Sequence, residues 1–117
     1  MPRTIPHLKY FQVLPGVSYQ LSASPGSGQP GAVGAWLDQT PIAGGAELLC
    51  FNLGDGAALK GRMLTVNVQV EDANLAMPNV AAVITLEGAG LAPVVFGDAT
   101  PTQDGEQVLF NFSLHLV

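Results

Sequence analysis

Residues 64–71 have the sequence LTVNVQVE and alternate between apolar and polar side chains at every position. A period of two places the apolar residues on one face of a β-strand, so this stretch predicts a strand with one buried and one hydrated face. Residues 17–24, VSYQLSAS, and residues 108–117, VLFNFSLHLV, show the same period. Residues 80–87, VAAVITLE, are largely apolar on both faces, which is typical of a central strand or of a subunit interface.

Weaker strand patterns occupy much of the remaining chain, and turn-forming groups separate them. The weaker candidates are residues 8–14, 32–37, 47–53 and 91–96. Pro-Gly, Gly-Gly and Asp-Gly pairs lie between the strands, and no helical stripe exceeds about one turn. Many short strands with regular turn signals predict an all-β fold. We expect a single domain over residues 1–117, an antiparallel β-sandwich of about eight strands with jelly-roll or Greek-key topology.

Charged residues are scarce in this chain of 117 residues. They make up 11% of it, against a usual share of about 25%, while apolar types make up 48%. Four basic residues against nine acidic ones give a net charge of −5, which argues against nucleic acid and anionic membranes as partners. Residues 1–7 lack the apolar run of a signal peptide, and we expect an intracellular or particle-associated protein rather than a secreted one.

The motifs associated with catalysis are weak. Residues 26–31, GSGQPG, match a dinucleotide-binding pattern literally, but Pro30 and the absence of a following helical pattern favour a mobile loop. His7 and His115 lie at opposite ends of the chain, and no nucleophile elbow is present. We therefore predict that the protein is not an enzyme. Cys50 is the only cysteine, and its apolar neighbours predict a buried, inert thiol.

Acidic residues group near two strand ends. Asp98, Asp104 and Glu106 flank the segment 100–102, and a second group occupies residues 71–74. Calcium requires six to eight oxygen ligands that converge, and neither spacing specifies such a site. Hydrated turn carboxylates are the ordinary interpretation, so no cofactor is predicted. A calcium site at Asp98, Asp104 and Glu106 is the alternative.

Trp36 is the only tryptophan, and the polar residues Asp38 and Gln39 follow it closely. An exposed aromatic ring beside hydrogen-bonding side chains is a common way to bind the face of a sugar. Trp36, Asp38 and Gln39 are therefore the candidate ligand-binding residues. The ordinary interpretation is a core tryptophan, and a third is a tryptophan at a subunit interface.

Apolar residues also occupy strand positions that should face away from the core. Ala81, Val83 and Leu109 are such positions, and His115 lies in the same outward register as Leu109. Because outward apolar residues tend to mark contacts, low charge points to covered surfaces. We predict a non-catalytic structural or assembly subunit that forms a homo-oligomer, for example a trimer, in a phage, viral or cell-surface particle. The alternative is a lectin-like carbohydrate-binding module, with or without calcium, whose partners are glycans.

Overall fold

The computed structural model describes residues 3–26, 28–73, 76 and 78–117. In these residues nine strands and one helical turn follow one another along the chain. The elements are β1 (Arg3–Phe11), β2 (Ser18–Gly26), β3 (Gly31–Leu37), β4 (Thr40–Gly45), β5 (Leu48–Asp55), α1 (Gly56–Leu59), β6 (Met63–Glu71), β7 (Asn79–Gly88), β8 (Val94–Pro101) and β9 (Gln107–Leu116).

The strands form two sheets. The five-stranded sheet has the order β1-β9-β6-β3-β4, and the four-stranded sheet has the order β5-β2-β7-β8. Strand β1 runs parallel to β9, and the remaining pairs are antiparallel. The all-β prediction with predominantly antiparallel pairing is confirmed, with nine strands instead of about eight. The additional strand is β4, a short edge strand next to β3. Single-domain organisation and jelly-roll or Greek-key topology stay predictions.

The alternating stretch 64–71 forms the middle of the five-stranded sheet and supplies one wall of the core. Its Val66 pairs with Phe112 and its Val68 with Phe110, and all four side chains are fully or almost fully buried. Burial of one such side chain stabilises the fold by about 1.5–3 kcal/mol. The four-stranded sheet contributes Leu21, Ile84 and Leu86 to the same core.

Strand β7 is central in the four-stranded sheet, between β2 and β8. Its Ile84 and Leu86 are buried, whereas Val83 on the opposite face is 39% exposed. Of the two interpretations of residues 80–87, the central strand is therefore confirmed, and the subunit interface stays a prediction.

The prediction of a buried Cys50 is wrong. Cys50 lies on β5 at a positive φ of 52° and is exposed. Its backbone N–H donates to Ser22 Oγ at 3.0 Å, where the pairing of β5 with β2 shifts register. Such a bulge breaks the alternation of faces, so both Leu49 and Cys50 point outward.

A buried polar network joins three loops at one end of the sheets. Asp72 is 1% exposed; its Oδ2 accepts a hydrogen bond from Thr102 Oγ1, and its Oδ1 accepts one from Gln29 Nε2 at 3.3 Å. Gln29 also donates to the carbonyl of Asn79 and accepts from the N–H of Ala73. The glycine-rich loop, residues 26–31, is thus hydrogen-bonded to its neighbours through Gln29, and its mobility stays a prediction. Ser27 of this loop and Asn74 of the second acidic group lie outside the described residues.

Candidate interaction surface

The edge strands β1 and β8 lie next to each other on one side of the molecule, one from each sheet. His7 Nε2 of β1 and Asp98 Oδ2 of β8 are 2.8 Å apart. Arg3 Nη2 of β1 donates to the carbonyl of Pro101 on β8 at 2.9 Å. We call the surface formed by these two strands and the segments 12–14 and 89–93 the β1–β8 side.

Exposed apolar residues concentrate on the β1–β8 side. Of the nine large hydrophobic residues that are exposed in the described chain, six lie here: Leu8, Tyr10, Leu14, Leu91, Val94 and Val95. Soluble monomers rarely expose extended apolar patches, and those that do often use them for binding. This distribution distinguishes the β1–β8 side from the rest of the surface.

A cavity of about 350 Å³ opens between the two edges. Tyr10 and Leu14 line one wall, Leu91 and Val94 line the other, and Phe96 contributes to the lining. The edge-on contact of Phe11 with Tyr19, at 5.8 Å between ring centroids, adds further aromatic surface. The cavity can accept an apolar side chain from another molecule.

The edge strands differ in their protection against pairing with another strand. Strand β1 carries Pro6 and Lys9, and β4 carries Pro41. Strand β5 is irregular, with register shifts along its pairing with β2. Proline, lysine and bulges are the usual obstacles to edge-to-edge pairing. Residues 94–100 of β8 contain neither proline nor lysine and pair with β7 in an uninterrupted register.

The four residues predicted for an interface flank the β1–β8 side on opposite outer faces. Ala81 and Val83 lie on β7, one strand from the β8 edge. Leu109 and His115 lie on β9, one strand from the β1 edge, and His115 stacks on Tyr10 at 5.1 Å between ring centroids. They therefore do not form one patch, but each pair borders the same side of the molecule.

Trp36 is not a core residue, contrary to its ordinary interpretation. It is half-buried on the outer face of the five-stranded sheet, because the alternation of β3 directs Ala35 and Leu37 into the core. Its ring covers Gly34: a Cβ built on that glycine would lie 2.7 Å from the ring. The indole therefore extends toward Gly34, away from the turn at residues 38–39.

Asp38 instead fixes the turn between β3 and β4. Its carboxylate accepts a hydrogen bond from the backbone N–H of Met63 at 3.1 Å and one from Arg62 Nε at 2.9 Å. These two bonds, the backbone bond first, lower the pKa of Asp38 below its ordinary value. Gln39 is exposed in the same turn. The structure thus separates the Trp36 ring from its predicted partners Asp38 and Gln39.

The carboxylates predicted to bind calcium do not converge. Asp98 contacts His7, and Glu106 forms an ion pair with Arg3 at 3.2 Å. Asp104 lies exposed in a turn. Within the described ranges, no group of three or more histidine, cysteine or acidic side chains is arranged to hold a metal ion.

Neutral polar residues form the centre of the outer face beside Trp36. Asn67 pairs with Asn111 across β6 and β9, and Asn67 is also the cross-strand partner of Gly34. The Oδ1 atoms of both asparagines are buried without a hydrogen-bond partner. Buried carbonyl oxygens without partners are unfavourable, so the two asparagines lower the stability of this face instead of offering accessible acceptors.

Comparisons with protein-family models, with curated proteins and with solved structures find no match to this chain. In the part of the chain that the structure describes, no helix is both long and apolar enough to span a membrane.

Proposed function

We propose that the protein is a non-catalytic assembly subunit that associates with copies of itself through the β1–β8 side. The observation that carries the proposal is the concentration of six exposed apolar residues on the β1–β8 side, four of which line the cavity there: Tyr10, Leu14, Leu91 and Val94. Removing this surface from water would favour association by about 25 cal/mol for each Å² of apolar area buried. In the proposed particle component, the two sheets form an antiparallel β-sandwich with jelly-roll or Greek-key connections.

The charges near these edges support a second copy of this chain as the partner. The protein carries a net charge of −5, so most contacts between copies would bring acidic groups together. Beside this surface, the Glu106 carboxylate is paired with Arg3, and Asp98 Oδ2 lies 2.8 Å from His7 Nε2. Internal pairing reduces the repulsion that two copies would meet there.

The experiment compares two substitutions by analytical ultracentrifugation. Leu91→Glu places a charge at the mouth of the cavity, where the leucine is 43% exposed. Leu49→Glu is the matched control, since Leu49 is 71% exposed on β5, the opposite edge of the same sheet. We expect Leu91→Glu to weaken self-association by at least about tenfold and Leu49→Glu to leave it unchanged. Equal effects of both substitutions would refute the assignment of the surface.

Carbohydrate binding is the second candidate function, and the position of Trp36 favours it. The indole lies on an outer sheet face beside Asn67 and Asn111, so an aromatic surface and hydrogen-bonding groups occur together. A titration with glycans, followed by Trp36 fluorescence with and without calcium, tests this function. A saturable spectral shift that Asn67→Ala abolishes would support it, and an unchanged spectrum across a glycan panel would refute it.

A further inference from the structure

We infer that strand β8 of one copy pairs antiparallel with β8 of a second copy, so that the two four-stranded sheets become one continuous sheet across a two-fold axis near Gly97. This inference rests on the proposed self-association and specifies its geometry. Self-pairing of an edge strand requires free backbone groups, a register without opposed charges, and side chains that pack across the new boundary. Strand β8 meets these requirements at Val95 and Gly97, and at Ala99 once its N–H exchanges the Asp98 carboxylate for a carbonyl of the second copy.

The backbone of the odd-numbered residues of β8 faces away from β7. The N–H of Ala99 donates to Asp98 Oδ1 at 2.8 Å, and the carbonyl of Pro101 accepts a hydrogen bond from an arginine side chain of β1. Successive residues of an edge strand alternate in direction, so the N–H and C=O groups of Val95 and Gly97 also point outward. These groups are available to a new strand.

One register uses these groups best. In an antiparallel pair, outward-facing residues lie opposite one another, so a two-fold axis at Gly97 sets Val95 of each copy opposite Ala99 of the other. An axis at Asp98 would place two carboxylates directly opposite each other, which is unfavourable. An axis at Phe96 would place Ala99 opposite Pro93, outside the strand. The axis at Gly97 is therefore the favoured arrangement.

The side chains on the outer face fit this register. Ala81 lies beside Ala99, and Val83 lies beside Gly97, so a small apolar strip reaches the β8 edge. Val95 is 61% exposed at the end of this strip. In the proposed pair, Val95 packs on Ala99 of the other copy, and the strip continues across the boundary. This gives Ala81 and Val83 a position beside the interface instead of at its centre.

Disulfide trapping in a Cys50→Ser background tests the register. Paired residues in an antiparallel ladder have Cα atoms about 4.5–5.5 Å apart, within the range that a disulfide bridges. Gly97→Cys should therefore give a covalent dimer under mild oxidation. A Cβ at this position has 3.5 Å to its nearest neighbour, the carbonyl oxygen of Ala82, so the substitution fits the fold.

Two single variants provide the matched controls. Val95→Cys alone should stay monomeric on a non-reducing gel. In the proposed pair, residue 95 of one copy and residue 95 of the other are offset by four residues along the strands, about 14 Å. A mixture of Val95→Cys with Ala99→Cys should give the crossed dimer. Efficient cross-linking of Val95→Cys alone, or none with Gly97→Cys, would overturn the register.

An edge lysine tests the pairing without a covalent bond. Val95→Lys should weaken self-association by at least about tenfold, whereas Leu49→Lys, the same change on β5, should not. If the unmodified protein associates but neither trapping nor Val95→Lys has the expected effect, the β8 inference is wrong and the assembly function stands. If the unmodified protein is monomeric at high concentration, both are wrong.

Discussion

Replacing Asp72 with alanine should destabilise the fold without altering the β1–β8 side. The carboxylate of Asp72 is buried and accepts hydrogen bonds from Thr102 and Gln29. Through these partners it connects the loop after β6, the loop before β9 and the glycine-rich loop before β3. Asp72→Ala removes both acceptors at once and leaves a polar cavity between the three loops.

The expected loss follows from the two bonds. A hydrogen bond to a charged group contributes about 1.5–3 kcal/mol, and a donor left without a partner in the interior adds to the cost. Gln29 Nε2 retains the carbonyl of Asn79 as an acceptor, so the free energy lost with its bond to Asp72 lies at the low end of this range. We expect Asp72→Ala to lower the free energy of unfolding by about 3 kcal/mol. This is a large share of the ~5–15 kcal/mol that stabilises an ordinary domain.

Urea unfolding followed by circular dichroism, at one fixed protein concentration, measures this loss. With a slope of about 1–3 kcal/mol per molar urea, the midpoint should fall by roughly 1–3 M. Glu71→Ala is the matched control, since the neighbouring carboxylate is exposed and its removal should cost less than about 0.5 kcal/mol. Equal midpoints for the two variants would refute the reasoning. A double-mutant cycle with Thr102→Val should show coupling of at least about 1 kcal/mol.

Three further outcomes follow from particular residues. Cys50 should react with a thiol reagent in the folded protein at nearly its rate in denaturant, because the bulge exposes it; slow reaction in the native state alone would contradict that. The carboxyl of Asp38 should titrate below 3.8 by NMR, since Met63 and Arg62 stabilise its charged form. The contribution of the Asp38 carboxylate to stability is therefore present at neutral pH and is lost as the pH falls through that lowered pKa. Arg62→Gln should raise the titration midpoint of Asp38 only partway toward its ordinary value, because the hydrogen bond from the Met63 backbone remains. Gly34→Ala should displace the indole that covers the glycine and red-shift the fluorescence while the far-ultraviolet circular dichroism stays unchanged.

The strong period-two patterns predicted four strands and much of the core, whereas the weaker patterns missed β4 and overlapped only part of β1 and β8, which lie at Arg3–Phe11 and Val94–Pro101. In residues 64–71 each apolar side chain is buried, and β7 is a central strand, because alternation depends only on the geometry of the strand itself. Cys50 shows where this reasoning fails, since one bulge reverses the face of the residues beside it. The prediction of a core position for Trp36 was wrong for another reason. Its neighbours did not determine which face of the strand it occupies, and no sequence signal linked its ring to Gly34.

Features that depend on strand order could not be predicted from the sequence. Which strands lie at the edges follows from the pairing of distant segments, so the exposure of β8 and its position beside β1 were not visible. The same holds for the contact of Gln29 with Asp72, which joins residues 43 positions apart. The absence of proline and lysine in residues 94–100 was visible, but it acquires meaning only once β8 is an edge.

The covered faces predicted from the low share of charged residues stay a prediction. Among the described residues, most of the exposed large hydrophobic ones lie on the β1–β8 side. Two of the acidic residues predicted to bind calcium contact β1 instead: Glu106 forms an ion pair with Arg3, and Asp98 lies within hydrogen-bond distance of His7. Their contribution is to hold the two edges together, since each pair links β1 to β8 or to the loop that follows it.

Sedimentation equilibrium of the unmodified protein tests the assembly function most directly. The monomer has a mass of 12.1 kDa. Between about 1 and 100 µM we predict that the weight-average mass of the unmodified protein rises above this value. The Leu91→Glu variant should keep the monomer mass over the same range. A mass that stays at 12.1 kDa throughout the same range would contradict the account.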